Sequence, residues 1–261
     1  VRGKASPPWL AWLGGAVIGA ILAGFGVAAV LIGQRPQTGI DADTLCAAGP
    51  PPAWTIVLAD SSDALGPRHK KRFAAAVASE VATLPVGGRL SVLSLSDRDP
   101  RKPVTLFSKC TPSDAAHANA WQKNTRGVAA RRAADFDAPL AEAVERAGAG
   151  RAEKASPLTD AVRAAATDPA FRAAPQRRLV LVSDMMEFRP GQFSLYAAGA
   201  TYEAFRKSAP GVAGPPDLSG VSVRIVAFDR PEQEAAQIAA RASFWAPWFK
   251  DAAPDAITWD P

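Results

Sequence analysis

Trp54-Thr55-Ile56-Val57-Leu58-Ala59 is a short, nearly unbroken apolar run, and Asp60 ends it. Arg178-Leu179-Val180-Leu181-Val182-Ser183 repeats the pattern, and Asp184 follows. A strand covered on both faces shows no polar side to water, so it is a continuous apolar run rather than an alternating one. Strands that alternate with segments of helical spacing imply a mostly parallel sheet with helices on both faces. The expected fold is a doubly wound α/β domain, in which ligands bind at the carboxyl ends of the strands. Both apolar runs place an aspartate there.

After the first run, Pro67 opens a helix whose Phe73, Val77, Val81 and Leu84 fall at helical spacing. Gly87-Gly88 ends that connection, Arg89 to Ser96 reads as a second strand, and Pro103 to Lys109 as a short edge strand, where proline is tolerated. A helix is expected from about Val128 to Ala147, kinked or split by Pro139, and a third from Ser156-Pro157. The stretch 185–199 reads as a long loop with four aromatic or aliphatic side chains, followed by a helix near 200–208. Val221 to Phe228 is expected to be the last strand, and Pro231 to open a final amphipathic helix reaching about Phe249. Its Phe244, Trp245, Trp248 and Phe249 are expected to pack that helix onto the sheet.

Residues 9–33, WLAWLGGAVIGAILAGFGVAAVLIG, run 25 residues without a charge. About 20 apolar residues span a bilayer core, so the stretch is expected to be a transmembrane helix retained as an anchor. Trp9 and Trp12 sit where interfacial aromatics belong. Arg2 and Lys4 precede it and Arg35 follows, which favours an inward amino terminus and an exported soluble domain, periplasmic or extracellular. Ala16, Ala20, Gly24 and Ala28 form a small-residue stripe that would allow helix-mediated self-association. The expected organisation is a tail over 1–8, the span over 9–33, a Pro-rich linker over 34–52, the α/β domain over 53–230, and a helix and tail over 231–261.

The chain of 261 residues carries a formal charge of +5, and Arg2 and Lys4 leave +3 for everything after the span. That is a mixed-charge surface and not a nucleic-acid footprint. Cys46 and Cys110 are its two cysteines. They are either two separate buried thiols or a disulfide of an exported domain. If the third strand is antiparallel at the sheet edge, its end and the start of the first strand share one side of the sheet, which favours the bridge.

Three chain segments then supply hard oxygen atoms: Asp60-Ser61-Ser62-Asp63, Ser156-Pro157-Leu158-Thr159-Asp160, and Ser183-Asp184. One or two carboxylates with hydroxyls and water suit Mg²⁺ or Mn²⁺. At these residues the chain resembles the von Willebrand factor A domain family, whose metal-ion-dependent adhesion site uses Asp-x-Ser-x-Ser after the first strand, a later threonine and an aspartate after the fourth strand. Asp60, Ser62, Thr159 and Asp184 match those positions, and the resemblance covers roughly 53–230. It implies a divalent-metal site that holds a protein partner without catalysis. The chain departs from the pattern at Ala64, where the motif has its second serine, and at Met185, where the family commonly has glycine. Asp63 and Asp160 are possible additional ligands. An alternative is a metal-free structural subunit of an envelope complex; another is metal-dependent phosphoester cleavage by a denser cluster that includes Glu187. The chain has no Gly-x-Ser-x-Gly elbow, P-loop or zinc spacing.

Overall fold

Every residue of strand β1 (Ala53–Ala59) is buried, as its composition requires. It sits in the middle of a six-stranded sheet ordered β3-β2-β1-β4-β7-β8. Here β2 is Arg89–Ser94, β3 Val104–Cys110, β4 Gln176–Ser183, β7 Val221–Ala227 and β8 Ala256–Asp260. All neighbours are parallel except the edge pair β2–β3, which is antiparallel. Two short strands, β5 (Phe188–Arg189) and β6 (Phe193–Ser194), form a separate antiparallel hairpin beyond the end of β4. The computed structural model describes residues 39–95, 99, 102–112, 125–150 and 154–260, which from residue 40 on belong to one compact unit, Ile40–Pro261. The expected span over 9–33 lies outside the described residues. Among the described residues no helix is long and apolar enough to cross a membrane.

Side chains alternate across a strand, and two cores follow. Trp54, Ile56 and Leu58 of β1 join Leu179 and Leu181 of β4 on one face. Val57 and Ala59 join Val180 and Val182 on the other. Helices α4 (Leu158–Thr167), α5 (Pro169–Ala173), α7 (Glu234–Ala240) and α8 (Ala246–Ala252) contribute to the first core. Helix α6 (Tyr202–Lys207) adds Tyr202 and Phe205 to it. The second core is covered by α1 (Pro67–Thr83), by α3 (Ala138–Gly148) and by the turn that joins α2 (Thr125–Arg132) to α3, through Phe73, Val77, Leu140 and Phe136. The doubly wound sheet is therefore as expected.

Two helical rods pass an interior proline by the same device. A π-helical turn, Ala133–Asp137, joins α2 to α3, and another, Arg241–Trp245, joins α7 to α8. Pro139 and Pro247 are each the second residue of the helix that follows. Proline has no N–H to give and clashes with the carbonyl four residues back. The extra residue of a π turn relieves that conflict without breaking the rod. Phe244 and Trp245 of the second turn, and Trp248 and Phe249 just beyond it, are all buried, each contributing on the order of 2 kcal/mol of apolar burial.

The sheet is longer than the sequence suggests. Val221–Ala227 is not the last strand: Ala256–Asp260 pairs with it in parallel as β8. Arg241 lies over the Trp259 ring at 4.3 Å, and Arg224 bonds Asp260 Oδ2 at 2.8 Å through Nε. At the amino-terminal end of the strands, Cys46 and Cys110 form a disulfide, and Cys110 N donates to Thr44 O at 2.8 Å. The antiparallel run of β3 brings its last residue back to that end, beside Arg89 at the start of β2.

Candidate functional site

β1 has β2 on one side and β4 on the other, so the connections leaving β1 and β4 diverge and open a crevice at their carboxyl ends. Asp60 N donates to Val182 O at 2.8 Å, which fixes Asp60 beside the end of β4. Asp60 Oδ2 accepts from Ser156 Oγ at 2.7 Å and from Ser183 Oγ at 2.9 Å, and Oδ1 accepts from Ser62 N at 3.1 Å. Ser61 turns inward and bonds Ser94 at the end of β2. The Asp60-Ser61-Ser62 loop is thus anchored to three neighbouring segments. Asp60 and Asp184 each close a local turn onto the backbone N–H two residues on, and neither caps a helix.

Asp63 and Ala64 are held from behind. Gly150, at φ +71°, lies against them so closely that a Cβ there would come 2.4 Å from Ala64 N. Leu65 N donates to Gly148 O at 3.0 Å. Ala64 occupies the position of the missing motif serine and lines a cavity of about 280 Å³ with Asp60, Ser62, Asp63, Asp184 and Arg230.

Nothing in the sequence singles out Arg230. It follows β7 and reaches back over the crevice. Its Nε bonds Asp184 Oδ2 at 2.6 Å and its Nη2 bonds Asp63 Oδ2 at 2.8 Å. Burial and the Asp60 charge push the Asp184 carboxyl up to about 6, and Arg230 opposes that rise. Tyr196, 43% exposed, points its hydroxyl at Asp184 Oδ2, 3.5 Å away. Burial and the Asp184 charge raise that phenol to about 12.

Thr159 opens α4 and is buried, but its hydroxyl serves another cluster. Thr159 Oγ1 donates to Glu187 Oε1 at 3.0 Å and accepts from Arg189 Nη2 at 2.9 Å, while Thr159 N donates to Glu187 Oε2 at 2.9 Å. Arg189 also bonds Glu187 through Nε at 2.6 Å and Asp160 through Nη1 at 2.7 Å. Glu187 is completely buried, which raises its pKa against the opposing pull of Arg189. The bridge between Ser156 and Phe188 aligns the two segments that carry these groups.

Asp60, Ser62, Asp63 and Asp184 therefore meet at one rim, whereas Thr159 and Asp160 turn toward Glu187 and Arg189. A small divalent cation needs a near-octahedral set of free oxygens. In this arrangement a guanidinium occupies Asp184, and the threonine oxygen is shared between a carboxylate and a second guanidinium. Among the described residues no group of three or more His, Cys, Asp and Glu side chains is disposed to hold a metal ion. The rim, as arranged, does not fit a divalent cation at all four motif positions. Glu187, named in the sequence only as an adjunct to an acidic cluster, is instead the acceptor that fixes Thr159.

No family model matches the chain, and comparison with curated proteins finds no match. Among solved structures, the chain is similar to the crystal structure of the SpRpn10 VWA domain, at 10% identity and a TM-score of 0.37, over 80% of this chain and 88% of that one.

Proposed function

We propose that this chain is a membrane-tethered, von Willebrand A-like module that binds a protein partner at the carboxyl rim of its sheet and does no chemistry there. The supporting observation is the meeting of Asp60 and Asp184, distant in sequence, at adjacent ends of β1 and β4, with Ser183 Oγ bonded to Asp60 at 2.9 Å. That is the place and the order of residues the motif requires. The disulfide supports an exported position for the domain, since such bonds persist in oxidising compartments. The apolar stretch 9–33 supports the tether.

Two forms of this reading differ in what balances the carboxylates. In one, Mg²⁺ or Mn²⁺ joins Asp60, Ser62, Asp184 and a partner carboxylate; the motif order favours it. In the other, the rim works without metal; the bonds of Arg230 to Asp184 and Asp63 favour it. The test uses full-length protein in its own membrane as bait, beside Tyr196→Ala and Asp63→Lys. Both altered side chains are exposed, so the fold is retained. Partners held by the wild type and lost from both variants support the rim as the binding surface. Partners held equally by all three exclude it. Retention in EDTA favours the metal-free form, and loss that Mg²⁺ restores favours the metal-dependent one.

A further inference from the structure

We infer that Arg230 is a resident counter-ion, whose guanidinium stands where the rim would otherwise take a divalent cation and closes the rim to it. The inference deepens the reading of Asp60 and Asp184 as a von Willebrand A-like rim, and rests on it. Three observations carry it. First, Arg230 bridges two carboxylates, Asp184 at 2.6 Å and Asp63 at 2.8 Å, so one side chain does the neutralising work of a bound cation. Second, the pair is half inside the protein: Asp184 has 6% of its side chain exposed and Arg230 31%. A charged carboxylate buried to that degree and left without a positive partner carries a desolvation cost that one in a surface pair does not.

Third, the arginine is built into position. Arg230 precedes Pro231, which holds it in an extended conformation, φ −112° and ψ 103°. Its N–H donates to Gln237 Oε1 at 2.9 Å. Gln237 Nε2 in turn donates to Asp184 O at 2.9 Å and to Phe228 O at 2.8 Å. One glutamine of α7 therefore ties the backbones of both members of the ion pair. The same substitution of cations recurs at the remaining motif position, where Arg189 donates to the Thr159 hydroxyl.

The test is a titration of full-length protein with Mn²⁺ alone, read by loss of the free Mn²⁺ electron paramagnetic resonance signal. Wild type is expected to bind no Mn²⁺ at 1:1 stoichiometry below about millimolar concentration. Arg230→Ala is expected to bind one Mn²⁺ at least tenfold more tightly and to gain thermal stability with it, and Asp60→Asn added to that variant abolishes both. Tight Mn²⁺ binding by the wild type overturns the inference, as does an Arg230→Ala protein that folds and binds no Mn²⁺. If Arg230→Ala does not fold, adding Asp184→Asn removes the charge that needs balancing and restores folding. Failure of that double variant to fold also overturns it. Because the titration contains no partner, its outcome is read separately from loss or retention of partner binding.

Discussion

Arg224 on β7 donates to Glu80 of α1 through Nη1 at 2.9 Å, joining a fully buried carboxylate to the underside of the sheet. Arg178 of β4 approaches the same carboxylate at 3.3 Å, so α1 is clipped to two adjacent strands. Removing one member of such a set leaves a charge without its partner, which costs more than the pair contributes. Glu80→Ala is expected to lower the unfolding free energy by about 2–3 kcal/mol. Urea denaturation checks it, and a midpoint equal to wild type would show that the clip carries no load.

Met185 sits at φ +60°, in the left-handed region that a side chain disfavours. It is the position where the resembled family commonly has glycine, the residue that enters this region at no steric cost. Met185 O accepts from Trp245 Nε1 at 2.6 Å, which holds the turn in place. Met185→Gly relieves the strained backbone while losing a buried side chain; Met186→Gly only loses one. The first variant is expected to be more stable than the second by about 1–2 kcal/mol. Equal stabilities measured by chemical denaturation would contradict the strain.

Asp184 confers a pH dependence of defined sign. Its carboxyl is raised from an ordinary 3.8 to about 6 in the fold. The folded state therefore holds that proton more tightly than the unfolded chain does, and stability falls as pH rises from about 4 to about 6. The loss amounts to up to about 3 kcal/mol from this one group. Asp184→Asn does not titrate there, so the difference in stability between the variant and wild type is expected to change across pH 4–6 and level off above. A constant difference over that interval is the contrary result.

The Cys46–Cys110 bond closes a loop with a sequence separation of 64. In the chain-entropy account a closure of that length stabilises by about 4 kcal/mol. Reduction of the wild type, or Cys46→Ser with Cys110→Ser, is expected to lower stability by roughly 2–5 kcal/mol. Unfolding curves with and without reductant decide the point.

What the sequence made legible is the buried centre of the sheet. The runs ending at Asp60 and Asp184 read as strands because each is short, nearly unbroken in its apolar character and closed by a polar residue, whereas the adjacency of their ends comes from the pairing of β1 with β4. β8 was not legible for the opposite reason. Ala256-Ile257-Thr258-Trp259-Asp260 is short, half polar and largely exposed, so only the β-favouring Ile, Thr and Trp hinted at a strand. Of the site, Asp60 and Asp184 were legible as the residues that close the two apolar runs, and Ser62 only through the resemblance. Arg230 was not, because a lone arginine after a strand looks like any surface charge until β7 is placed beside β4. Thr159 was expected to offer its hydroxyl at the rim, but that hydroxyl answers to Glu187 and Arg189, a pairing aligned by the bridge between Ser156 and Phe188 that no spacing announces.

The disulfide also decides how the domain bears a pull. The polypeptide comes into the Ile40–Pro261 unit at the amino-terminal end of the strands, where Cys46 is bonded to Cys110. Tension arriving from residues before Ile40 reaches that covalent link before it reaches β1 and is handed sideways to β3. For tension between points outside it, the enclosed segment, with β1, α1 and β2, lies off the line of force. A chain drawn out from its first described residues therefore stops at Cys46 and loads the sheet edge, and β1 is not the first strand to be peeled away.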